Sequence, residues 1–128
     1  MQKTILIVDD DPITINLLQL ILEPAGFMTQ TAQNGAEALE QVSHGKPDAI
    51  LLDVMMPIMD GFTVCQELRS QQDTAQLPII ILSTSAQSRS VEKGMEAGAS
   101  KYLFKPISRD VLVSEITKAI QYQDTVAH

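Results

Sequence analysis

The chain has 128 residues, 45% of them hydrophobic, with 16 acidic against 9 basic side chains and a formal net charge of −7. That length suits one domain whose core needs neither disulfides nor structural metal. The acid excess, with no cluster of Lys and Arg to offset it, argues against direct nucleic-acid binding, and no apolar run is long enough for membrane insertion.

In chain order, Met1-Gln2-Lys3-Thr4 leads into Ile5-Leu6-Ile7-Val8 and then Asp9-Asp10-Asp11, a pattern unlike a signal peptide. The four apolar residues are continuous rather than alternating, as in a strand buried on both faces of a parallel sheet. Asp11-Pro12 opens a first helix, with Asp11 its natural cap. A second strand is expected over Phe27-Met28-Thr29-Gln30-Thr31, and Asn34-Gly35 precedes a helix with Ala36, Leu39 and Val42 on one face. Ala49-Ile50-Leu51-Leu52 reads as a third strand ending at Asp53, and Asp60-Gly61 precedes a third helix that carries the lone Cys65. A single cysteine forms neither an intrachain disulfide nor a zinc site, which fits a reducing cytoplasm. Ile79-Ile80-Ile81-Leu82 runs into Ser83-Thr84. Gly94, Ala97 and Gly98 make the fourth helix weak. Tyr102-Leu103-Phe104 is the fifth strand, ending at Lys105-Pro106. Ser108 and Asp110 can cap the last helix, whose inner face is Leu112, Ile116, Ala119 and Ile120, and a polar tail follows. Five alternations of strand and helix predict an α/β fold, a doubly wound five-stranded parallel sheet of order 2-1-3-4-5.

Ligands of such sheets bind beyond the carboxyl ends of the strands. Here those ends supply Asp9, Asp10, Asp53, Ser83 and Lys105. Polar residues often follow strands, but three carboxylates, a hydroxyl and an ammonium group are more than surface exposure requires. Clustered carboxylates raise one another's pKa, and a divalent cation with oxygen ligands relieves that conflict, Mg²⁺ or Mn²⁺ better than zinc. Lys105 adds a fixed positive charge, so the set suits an incoming phosphoryl group. With neither Cys nor His at these ends, the available nucleophile is a carboxylate.

Five motifs, in order and spacing, carry a family resemblance over essentially the whole chain: Ile5 to Asp11, Leu51-Leu52-Asp53-Val54-Met55-Met56-Pro57, Asp60-Gly61, Pro78 to Ser83, and Gly98 to Pro106. The sequence resembles the receiver domain of two-component response regulators, of the single-domain, chemotaxis-regulator type. The resemblance implies a flavodoxin-like, CheY-like three-layer sandwich over residues 1–122, with 123–128 as the tail. It implies Asp53 as phosphoacceptor, and Asp9, Asp10, Asp53 and the backbone carbonyl of Met55 as ligands of Mg²⁺. Ser83 and Lys105 would contact the phosphoryl group, Ser83 and Tyr102 would form the switch, and the peptide bond before Pro106 would be cis. The implied donor is a sensor histidine kinase or a histidine phosphotransfer protein. The implied output is a protein target on the face of helix 4, strand 5 and helix 5, with the ring of Tyr102 entering space vacated by Ser83. Such a chain is a phosphoacceptor that assists its own phosphotransfer and dephosphorylation rather than an enzyme.

Three positions depart from the family pattern. Ser83 stands where Thr is usual, Thr84 where a small residue is common, and Ser100-Lys101 where an acidic pair is frequent; none removes a group that phosphotransfer requires. Other readings fit less well. An aspartate-nucleophile phosphohydrolase needs a second acid where Met55 stands, and a nucleotide module needs a glycine-rich loop that is missing. The alternative to a stand-alone domain is a receiver cut from a larger response regulator or hybrid kinase. His44 and His128 are expected to be exposed and to take no part, and the methionines near Asp53 to fill gaps.

Overall fold

A computed structural model describes residues 2–56, 59–85 and 87–126, with backbone only for 124–126. Pro57 of the second motif, and His128, lie outside the described residues. The elements are β1 (Thr4–Val8), α1 (Pro12–Leu22), β2 (Met28–Ala32), α2 (Gly35–His44), β3 (Ala49–Leu52), α3 (Gly61–Arg69), β4 (Ile79–Ser83), α4 (Ser88–Glu96), β5 (Lys101–Phe104) and α5 (Arg109–Val126), with a short 3-10 turn at Gln72–Thr74. The strands form one parallel sheet in the order β2-β1-β3-β4-β5, the order the sequence predicts.

The continuous apolar runs are explained by two cores, one on each face of the sheet. Leu6, Val8, Ile50, Leu52, Ile79 and Ile81 point toward α2, α3 and α4, where they meet Ala38, Val42, Val64, Cys65 and Leu68. Ile5, Ile7, Leu51, Ile80, Leu82 and Leu103 point the other way, onto Ile15, Leu18 and Leu22 of α1 and Leu112, Ile116 and Ile120 of α5. Successive strand side chains alternate faces, so a strand covered on both sides must be apolar at every position. The edge strand β2 is covered less and alternates instead, with Met28 and Gln30 exposed.

Helix starts fall where the punctuation places them. Asp11, Asn34 and Asp60 each cap a helix by accepting a backbone N–H, from Ile13, Glu37 and Thr63 respectively. Ser108 Oγ accepts the N–H of Val111 at the start of α5. Two details differ from the sequence reading. In α2 the inward stripe is Gly35, Ala38, Leu39 and Val42, while Ala36 is exposed; the helix starts at Gly35, and counting 3, 4 and 7 from that residue gives the stripe. Helix α5 continues through Val126, so residues 123–126 extend the helix beyond Ile120, the last buried residue among those whose side chains are described.

Glycines fix two loops, Gly98 at the amino-terminal edge of the sheet and Gly61 against the Asp53 loop. Gly98 adopts a φ of +106° after α4, and the stem of Arg69 occupies the space its Cβ would fill. Arg69 closes this turn by donating to the carbonyls of Gly98 (2.8 Å) and Thr74 (3.0 Å). A Cβ on Gly61 would lie 2.6 Å from the carbonyl oxygen of Asp53 and 2.7 Å from Cα of Val54. Those are backbone atoms and cannot move aside cheaply. Gly61→Ala is therefore expected to cost about 1–3 kcal/mol of stability and to displace the Asp53 loop. Chemical denaturation checks the first effect, and the amide shifts of Asp53 and Val54 check the second.

Candidate functional site

Parallel pairing brings four strand ends to one edge of the sheet, and short backbone bonds extend the ladder into the loops. The N–H of Asp53 donates to the carbonyl of Val8 at 3.0 Å, and that of Lys105 to the carbonyl of Ser83 at 2.8 Å. Carboxylate oxygens of Asp9, Asp10 and Asp53 consequently lie within 4.8 Å of one another. Asp9 is 3% exposed and Asp53 9%, while Asp10 opens to solvent.

The ammonium of Lys105 reaches both buried acids, 2.8 Å from Asp9 Oδ2 and 3.9 Å from Asp53 Oδ2. Its shorter contact is with Asp9. Asp9 also accepts the N–H of Asp11 at 2.9 Å, and Asp53 the N–H of Met55 at 3.1 Å. Burial pushes the Asp53 carboxyl above the usual carboxylate range. Its bond from Met55 and the charge of Lys105 counter this, and the charges of Asp9 and Asp10 add to it. One ammonium cannot balance three carboxylates, and the donors are all oxygen. That set fits a hard divalent cation such as Mg²⁺, with Asp9, Asp10 and Asp53 to hold it.

The remaining candidates fall at the same end of the sheet. Ser83 is fully buried at the end of β4, and its Oγ accepts the N–H of Ser85 at 3.1 Å. Tyr102 is 9% exposed, and its hydroxyl donates to the carbonyl of Ser85 at 2.8 Å. The ring is thus buried in this structure, its hydroxyl held by the loop after β4. The Lys105–Pro106 peptide bond is cis, as the resemblance implies. Asp11 caps α1 and bonds Thr14, apart from the acidic trio. Thr84 and His44 are exposed, and His44 lies 3.9 Å from Glu40. Met56 and Met59 pack into the core, whereas Met55 is 64% exposed.

Ser85 carries no sequence signal that marks it. Gly94 was read as a sign of weakness in α4, but its role is packing: a Cβ there would lie 2.8 Å from Ile81 Cδ1 and 3.0 Å from the Tyr102 ring. Its smallness lets α4 rest on the tyrosine.

A five-stranded α/β sheet in this order, with acids, a hydroxyl and a lysine at its carboxyl edge, is the architecture of a receiver-type signalling domain. The response regulator receiver domain model matches residues 5–117, and the chain belongs to that family. It is 36% identical over 122 residues to the DNA-binding dual master transcriptional regulator RpaA of Synechocystis, covering 95% of this chain and 51% of that protein. It is 43% identical over 108 residues to the alkaline phosphatase synthesis regulator PhoP of Bacillus subtilis, covering 84% and 44%. The chain thus spans about half the length of these relatives. Among solved structures, a response regulator from Chloroflexus aurantiacus superposes with a TM-score of 0.91 at 37% identity, covering 94% of this chain and 99% of that one. The receiver domain of the Pseudomonas aeruginosa sensor histidine kinase PA1611, described with magnesium coordinated in its active-site cleft, gives 0.88 at 29% identity, covering 94% and 99%. Receiver domains of response regulators interact with histidine kinases. No helix among the described residues is long and apolar enough to cross a membrane.

Proposed function

We propose that this domain is a phosphorylation-dependent switch in which Asp53 accepts a phosphoryl group from the phosphohistidine of a sensor histidine kinase or histidine phosphotransfer protein. The observation that carries this reading is the meeting of Asp9, Asp10 and Asp53 within 4.8 Å, with Lys105 against two of them. A carboxylate oxygen of Asp53 forms the new bond to phosphorus as the bond from phosphorus to the donor imidazole nitrogen breaks, and the imidazole leaves with the electron pair. Lys105 faces the charge that builds on the phosphoryl oxygens, and the Ser83 hydroxyl supplies a hydrogen-bond donor to one of them. Asp9, Asp10, Asp53 and the Met55 carbonyl would hold Mg²⁺, with Mn²⁺ an alternative, and the bound cation would neutralise charge on both acceptor and phosphoryl group. The output is a protein contact on the α4, β5 and α5 face, in the cytoplasm, for residues 1–122 alone or as part of a longer regulator.

Helix α1 supports the choice of a protein donor. Ile13, Leu17 and Leu20 are 70%, 56% and 71% exposed on one stripe of a helix that begins directly after the acidic run. Leu17→Glu is expected to slow transfer from a phosphohistidine protein roughly tenfold or more, by placing a charge in the contact. Transfer from acetyl phosphate should be unchanged, and equal slowing with both donors would remove α1 from the interface.

The direct test is intact mass after incubation with Mg²⁺ and acetyl phosphate. One phosphoryl group should be gained and should map to Asp53; no gain would reject the reading. Asp10→Ala should weaken Mg²⁺ binding and slow phosphorylation together, because the same carboxylate serves both. Parallel fluorescence or calorimetric titrations of the two proteins check this, and identical Mg²⁺ affinities would exclude Asp10 as a ligand.

A further inference from the structure

Every polar group of Ser85 is engaged, and each engagement leads to a different part of the molecule. Its N–H donates to Ser83 Oγ at 3.1 Å, its carbonyl accepts from Tyr102 at 2.8 Å, and its Oγ–H donates to Ser90 Oγ at 3.0 Å. Ser90 lies in the first turn of α4. That helix is held by fewer buried residues than its neighbour: Gly94 is buried and Val91 packs partly against the core, whereas α3, also nine residues long, buries Gly61, Val64, Cys65 and Leu68. The residue before it, Gln87, gives no side-chain cap. One hydrogen bond is therefore a large share of what fastens the start of α4 to the loop beside the site.

We propose that Ser90, acting through Ser85, is the positioning residue that ties helix α4 to the hydroxyl of Ser83. The inference rests on the reading of Asp53 as phosphoacceptor and adds the route by which that site reaches the helix. A serine hydroxyl has one donor and two acceptor lone pairs. Ser83 can therefore donate its proton to an oxygen arriving at Asp53 while still accepting the N–H of Ser85. Movement of Ser83 toward the site then draws the Ser85 backbone with it, and the Ser85–Ser90 bond passes that movement to α4. Tyr102, already bonded to the Ser85 carbonyl and packed under Gly94, follows the same residue.

The test compares wild type, Ser90→Ala, Ser90→Thr, Ser85→Ala and the double alanine variant by NMR, with Mg²⁺ and with or without beryllofluoride. Phosphorylation by acetyl phosphate is measured separately by mass. Ser90→Ala should phosphorylate within about twofold of wild type, since it touches no reacting atom. Its α4 amide shifts on adding beryllofluoride should fall to about half or less, Ser90→Thr should restore them, and the double variant should be no worse than either single one. A full α4 response in Ser90→Ala, or failure of threonine to restore a lost one, overturns the proposal. If wild type takes up no phosphoryl group, the Asp53 reading fails by itself. The relay is then judged without any mimic: both single variants should perturb the Ser83 amide and the Tyr102 ring non-additively, and additive effects would overturn it.

Discussion

Asp53→Asn is expected to take up no phosphoryl group and, in Mg²⁺-free buffer at neutral pH, to melt above the wild-type protein. The first effect follows from chemistry, because an amide oxygen cannot replace the carboxylate nucleophile. The second follows from the environment of the carboxyl group. Burial raises its pKa above the ordinary 3.8, so the folded protein keeps this proton to a higher pH than the unfolded chain does. The stability associated with the protonated form is present below the unfolded value and is lost as pH rises through the raised one. At neutral pH the ionised Asp53 therefore opposes folding, and asparagine removes that opposition. A gain of about 1 kcal/mol would raise the melting temperature by several degrees in a domain of this size. The difference between the two proteins should shrink toward zero on acidification below the ordinary carboxylate range. Adding Mg²⁺ should narrow it from the other side, by stabilising wild type more than the variant. Scanning calorimetry from acid to neutral pH reads all three trends. A variant less stable than wild type at neutral pH would contradict the electrostatic account, and a phosphorylated one would contradict the site.

Lys105→Met should have the opposite effect on stability and should slow the chemistry without abolishing it. Lys105 is bonded at 2.8 Å to Asp9, whose side chain is 4% exposed, while its own is 20% exposed. Breaking a buried pair strands the other charge, at about 3–5 kcal/mol, and partial exposure of the lysine places this case nearer 2–3 kcal/mol. Mg²⁺ should recover part of the loss, because a cation among the carboxylates replaces the missing positive charge. The rate of phosphorylation by acetyl phosphate should fall roughly 10²- to 10³-fold, the usual consequence of removing a positioned group that faces developing charge. Urea denaturation with and without Mg²⁺ checks the first expectation and intact mass over time the second. A variant phosphorylated at the wild-type rate would show that the ammonium serves only to hold Asp9 in place.

Those residues were legible because chain order alone predicts where they lie. Continuous apolar runs such as Ile5 to Val8 and Ile79 to Leu82 signal strands covered on both faces, and in a parallel sheet every such strand ends at the same edge. Asp9, Asp53 and Lys105 each follow a strand directly and Ser83 ends one, so their assembly needs no knowledge of side-chain contacts. The helix caps at Asp11, Asn34 and Asp60 were equally plain, since their chemistry is local.

The partners of those groups are a different matter. Whether Lys105 leans on Asp9 or Asp53 depends on tenths of an ångström between loops 96 residues apart in one case and 52 in the other, and no pattern in the chain encodes it. The sequence alone determined a five-stranded α/β sheet, its order, and the identity of the groups at its reactive edge, because hydrophobic periodicity and capping are properties of neighbouring residues. The tertiary structure decided that the Tyr102 ring lies inside, that Gly94 is small so that α4 can rest on it, and that Ser85 joins Ser83, Tyr102 and Ser90. Those contacts join residues 2 to 17 positions apart, and they are set by how α4 and β5 pack beside the loop after β4, which no periodicity in the chain encodes.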